Sequence, residues 1–108
     1  MASNVCLVWL TCKDKAEADK IANTLLVKQL IACARQIPVK SDYRWQGKIE
    51  TSEEVLLMME SQLDLFEKVE AEVAKLHSYD TFVLSAIPIK KITQHSERWL
   101  KDELRSIK

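Results

Sequence analysis

The chain has 108 residues, 47% apolar and 30% charged, with 16 basic and 16 acidic side chains and no net charge. That length predicts one domain over 1–108 with a real core, and the even charge balance excludes the basic footprint of a nucleic-acid binder. No apolar segment approaches membrane-span length, MASNVCLVWL lacks a basic leader, and three cysteines without C-x-x-C spacing read as reduced thiols, so a cytoplasmic protein is expected, with no nucleic-acid or membrane partner.

Residues 4–11, NVCLVWLT, form an apolar run of strand length. The lack of alternation predicts a central strand buried on both faces. Asp14 with Glu17 three residues on is a capping-box arrangement. Behind it Ala18, Ile21, Ala22, Leu25, Leu26 and Leu30 recur at helical steps, which predicts an amphipathic helix through about residue 30.

The stretch 32–61 is the most informative. At a period of two, Cys33, Ile37, Val39, Tyr43 and Trp45 fall on one side and Gln36, Lys40, Asp42 and Arg44 on the other. Gln46-Gly47 follows, with the only glycine of the chain, where a tight reversal needs a positive φ. Ile49 and Thr51 then alternate with Glu50 and Ser52 before the apolar run 55–59. Together these predict one long hairpin with arms of roughly 40 Å at about 3.3 Å per residue. A domain of this size has a radius of gyration near 13 Å. Such a hairpin protrudes, and an isolated two-stranded ribbon is marginal in water, so it is expected to dock on sister subunits. The alternative is a shorter hairpin, broken at Pro38, within a monomer.

Ser61 to Asp64 repeats the capping pattern, and Phe66, Val69, Val73 and Leu76 stripe a second helix ending near His77. Residues 81–89 go extended, with Pro88 at the strand's end or on an edge. Thr93 caps a last helix on which Trp99, Leu100, Leu104 and Ile107 share a side. The order predicts an α+β, ferredoxin-like β-α-β-β-α-β sandwich with a protruding hairpin between its second and third strands and a C-terminal helix. The first and third strands take the centre. The third strand, 55–59, has no stacking aromatics for RNA, residues 11–14 are not a copper-chaperone loop, and one glycine argues against phosphate loops. No Cys–His or Ser–His pair is spaced for catalysis, so no catalytic residue is assigned and a non-enzymatic protein is expected.

Specific residues carry a family resemblance. The segment 30–34 (LIACA), then Ile37-Pro38, Ser41-Asp42-Tyr43-Arg44-Trp45-Gln46-Gly47-Lys48-Ile49-Glu50 and Glu54, with Thr11, His77-Ser78-Tyr79, Pro88 and Trp99-Leu100, resembles the CutA family of divalent-cation tolerance proteins across nearly the whole chain. The resemblance implies a ferredoxin-like subunit in a homotrimer with interlocking hairpins, similar to the PII signalling proteins. It also implies a link to copper and other divalent cations, and it brings no established reaction. A metal site proposed for the family maps onto Leu10, His77 and Val83, so only the histidine stands in place, and a common lysine is replaced by Glu60. The expectation is a weak or altered site for copper or another divalent metal, with His77, Asp80 and Cys12 as the candidate ligands. The alternative is a PII-like regulatory trimer holding a small metabolite or a protein partner in clefts between subunits. His95 is read as incidental, Trp9, Trp45 and Trp99 as core or intersubunit anchors, and Asp42, Glu50, Glu53 and Glu54 as a solvated face.

Overall fold

A computed structural model of the chain describes residues 4–105. The elements are β1 (Val5–Cys12), α1 (Lys15–Val27), β2 (Cys33–Trp45), β3 (Lys48–Gln62), a 3-10 turn (Leu63–Leu65), α2 (Phe66–Leu76), β4 (Leu84–Pro88) and α3 (Gln94–Glu103). The strands form one antiparallel sheet in the order β2-β3-β1-β4, the ferredoxin-like arrangement with β1 and β3 central.

Cross-strand partners share a face, so the register sorts the side chains. Cys6, Val8, Leu10 and Cys12 of β1 join Leu57 and Met59 of β3 in the core, together with Ala18, Ile21 and Leu25 of α1 and Val69 and Val73 of α2, all buried. Leu7, Trp9 and Thr11 point the other way, beside Glu60, Met58 and Leu56. On that face Trp9 is 37% exposed and Ile87, opposite Leu7, is 46% exposed. The expectation that β1 is buried on both faces is therefore corrected for the single chain. The helices of the two β-α-β crossovers both pack on the core side of the sheet, and the second face is left apolar and open.

The hairpin is unbroken. Gln46 (φ 52°) and Gly47 (φ 79°) are both left-handed, the type I′ geometry that matches strand twist in a two-residue turn. Pro38 stands opposite Val55 on β2, an edge strand, where a missing N–H is tolerated and the ladder runs on through it. Strand β1 stops at the rung Cys12↔Val55. The rungs from Val39↔Glu54 to Trp45↔Lys48 thus have no third strand beside them. They project roughly 23 Å at about 3.4 Å each, and the molecule measures 45 × 25 × 22 Å. Trp9, Trp45 and Trp99 are all exposed, so none is a core anchor of its own chain.

Some boundaries differ from the expected ones. Helix α1 ends at Val27 rather than near 30, because Gln29 turns left-handed (φ 60°) and Leu30 N–H donates back to the Leu25 carbonyl. Ser61 is not a helix cap. It is the buried penultimate residue of β3, and its hydroxyl donates to the Leu30 carbonyl at 2.7 Å. Thr93 does cap α3, accepting from Ser96 N–H, and Leu100 and Leu104 are buried while Trp99 on the same helix is exposed. Ile107, expected on that side, lies outside the described residues.

Candidate metal centre and adjoining cavity

Thr11 and Cys12 close β1, Glu17 lies in the first turn of α1, and His77 follows the last turn of α2. The sandwich brings these ends together, and one donor atom from each of Cys12, Glu17 and His77 lies within 4.8 Å of the others. The His77 side chain is fully buried. Its ring centroid is 4.9 Å from that of Tyr79 and 5.3 Å, stacked, from that of Phe82.

Both imidazole nitrogens are engaged. Nδ1 accepts from the Tyr79 N–H at 3.1 Å, and Nε2 lies 2.8 Å from the Thr11 carbonyl. A carbonyl only accepts and an amide N–H only donates, so this pattern assigns the proton to Nε2. Burial works against the Glu17 carboxylate, yet the N–H groups of Lys13 (2.9 Å to Oε1) and Ser78 (2.7 Å to Oε2) hold its pKa below the usual 4.5. Burial, with Glu17, Glu54 and Asp14 nearby, pushes the Cys12 thiol up to about 12. The trio has the donor types a borderline divalent cation takes. In this conformation, however, His77 and Glu17 tie the end of β1, the start of α1 and the segment after α2 together through backbone groups.

Against the same wall, on the open side of the sheet, lies a cavity of about 660 Å³ between the hairpin and residues 79–83. Thr11 and Tyr79, the two residues that His77 holds, both line it, with Tyr43, Trp45, Glu54 and Asp80. Glu54 is only 8% exposed, and its Oε2 accepts the Tyr79 hydroxyl at 2.9 Å. Burial, then this bond and the Glu54 charge, pushes the Tyr79 hydroxyl up to about 12.

Residues 6–103 match the family model of the CutA1 divalent ion tolerance protein. The chain belongs to the CutA1 family. The divalent-cation tolerance protein CutA of Archaeoglobus fulgidus is 35% identical over 95 residues, covering 88% of this chain and 93% of that one. Human Protein CutA is 30% identical over 105 residues, which span 96% of this chain and 59% of the human protein. Among solved structures, CutA1 from Oryza sativa superposes with a TM-score of 0.94 at 28% identity, covering 98% of each chain. The A. fulgidus protein, described as a periplasmic divalent cation tolerance protein, superposes with a TM-score of 0.92 at 33% identity, covering 94% of this chain and 99% of the other.

Of the ligands expected from the sequence of this CutA1 chain, Cys12 and His77 come together, while Asp80 is exposed and lines the cavity instead. Glu17 joins them, a residue the sequence offered only as half of a capping box. Its carboxylate passes over the Asp14 N–H and takes those of Lys13 and Ser78. Leu10 is in the core, Val83 is exposed beside the cavity, and Glu60 pairs with Arg35. His95 is exposed on α3. Asp42, Glu50 and Glu53 are exposed as expected, but Glu54 is not part of that solvated face. It lies at the foot of the hairpin, where Tyr79 covers it. No helix of the described residues is long and apolar enough to cross a membrane.

Proposed function

We propose that this protein is a non-enzymatic, cytoplasmic homotrimer of divalent-cation tolerance that binds copper or another borderline divalent ion weakly, at Cys12, Glu17 and His77. The observation that carries the reading is the convergence of a thiol, a carboxylate and an imidazole within 4.8 Å. Weakness follows from the bonds that His77 and Glu17 already make and from the burial of the Cys12 thiol. A cation on His77 displaces either the Thr11 carbonyl or the Tyr79 amide from the ring, and thiolate ligation removes a proton that burial holds to about 12. Asp80 stays at the cavity rim in this reading. The trimer is supported by the projecting hairpin and by the open apolar face with Trp9 and Ile87. The reducing compartment is supported by three unpaired cysteines, two of them buried.

Isothermal titration with Cu²⁺ on the wild type and on His77→Ala tests the site. At least about tenfold weaker binding by the variant is expected from the loss of one of three donors, and equal affinity removes His77 from the site. Sedimentation at micromolar concentration tests the assembly, and a monomer refutes it. A second reading, a regulatory trimer that takes a small organic ligand, is favoured by the aromatic-walled cavity.

A further inference from the structure

We infer that the centre takes a four-coordinate, zinc-type divalent cation at His77 Nε2, with the main-chain carbonyl of Thr11 as its fourth donor. This rests on the cation reading above and names its ligand set. Cys12, Glu17 and His77 fill three of the four positions that such an ion prefers. Of the two ring nitrogens, Nε2 faces the carboxylate, 3.7 Å from Glu17 Oε1, and the Thr11 oxygen lies 2.8 Å from it. Two donors of one tetrahedral zinc, at bonds of about 2.0–2.1 Å, stand about 3.4 Å apart. The separations found straddle that value, so shifts of roughly half an ångström bring both oxygens to an ion on Nε2. Thr11 and Cys12 are consecutive in β1, so one strand end supplies both the carbonyl and the thiol.

The carbonyl is the donor at hand because a nitrogen bound to a cation has no proton to give it. Strand β4 joins β1 only as far as Leu10↔Leu84, so no rung of that ladder reaches Thr11. Displaced from the ring, its part-buried oxygen is costly to leave bare, and the displacing ion stands beside it. Glu17 keeps its own bonds, since a carboxylate oxygen accepts on more than one lone pair and Oε2 stays with the Ser78 N–H. The thiol proton passes to solvent. The neutral ring carries its one proton on Nδ1 instead, where it meets the Tyr79 N–H, donor against donor. The Tyr79 bond is lost while the Ser78 bond, one residue earlier, remains. Four protein donors leave no open position for a substrate, which fits a non-enzymatic site. A tetrahedral set of sulfur, nitrogen and oxygen suits zinc better than Cu²⁺, which favours tetragonal sites.

The Zn²⁺-loaded full chain at fixed pH tests this. X-ray absorption at the zinc edge is expected to show one sulfur at about 2.3 Å and three lighter atoms at about 2.0–2.2 Å. In isotope-labelled protein the Thr11 carbonyl carbon is expected to move to higher frequency, because a bound cation polarises it; loss of a hydrogen bond alone moves it the other way. The Tyr79 amide is expected to exchange at least about tenfold faster with zinc than with a chelator, and the Ser78 amide to stay unchanged. Cys12→Ser is expected to remove the sulfur signal and weaken binding at least about tenfold. A six-coordinate shell of light atoms, or a Thr11 carbon moving to lower frequency, overturns this ligand set and leaves the cation reading standing. A Tyr79 amide indifferent to zinc overturns ligation by the ring. No Zn²⁺ binding, or binding equal in His77→Ala, overturns the cation reading and this inference with it.

Discussion

Replacing His77 with alanine removes the one side chain that holds β1 and the segment after α2 to each other through its ring. The Thr11 carbonyl and the Tyr79 amide both lose their partner. Each buried polar group left unpaired costs about 1–3 kcal/mol. The ring also fills space against Tyr79 and Phe82, but water entering from the adjoining cavity recovers part of the loss. The expected net destabilisation is about 2–4 kcal/mol, or a fall in Tm of roughly 10 °C for a domain of this size. The assay is urea denaturation of metal-free protein in the presence of a chelator, at fixed protein concentration because assembly contributes to stability by mass action. Working without metal separates the two roles of the residue, since a side chain kept only as a ligand is dispensable to the apo protein. A variant within about 0.5 kcal/mol of wild type would show that the two bonds hold nothing together.

Two further outcomes follow from groups around the same site. The Glu17 pKa is lowered on folding, so its ionised form stabilises the protein fully above the unfolded value of 4.5, and the contribution is lost as pH falls through the folded value. The stability gap between wild type and Glu17→Gln, read from urea unfolding at about pH 7 and about pH 4, is expected to narrow at the lower pH; a constant gap contradicts the assignment. The Cys6 and Cys12 thiols, fully buried and pushed up to about 11 and about 12, are expected to resist a disulfide reagent at about pH 8 until the protein unfolds, while half-buried Cys33 reacts first. Mass-spectrometric detection of early labelling at Cys12 would contradict the packing described for β1.

The fold was legible where local chemistry and global shape agree. Gln46-Gly47 sits between two runs whose alternation demands strands, and both turn residues adopt the left-handed backbone that a two-residue hairpin requires. Asp14 and Thr93 cap helices because a short acceptor side chain can reach an amide two or three residues on. Ser61 misled for the same reason. It has the residue type of a cap, but the ladder of β3 against β1 continues through Val5↔Gln62, and the hydroxyl finds a carbonyl 31 residues away in sequence. Likewise, the apolar run of β1 says that both of its faces want cover and leaves open whose atoms supply it. One face is covered by α1 and α2, and Trp9 on the other is exposed in the single chain.

The site was only half legible, for a different reason. Cys12 and His77 stand out by residue type, yet the partners that fix the His77 ring are a main-chain carbonyl and a main-chain amide, which every sequence contains. Glu17 carried a signal, a glutamate three residues after a cap, but that motif describes a helix end and is silent on which amides the carboxylate finally meets. Once placed, those bonds join the two halves of the site. Thr11 and Tyr79 are the ring's partners and also walls of the cavity, so any ion that takes a ring nitrogen must release part of that wall.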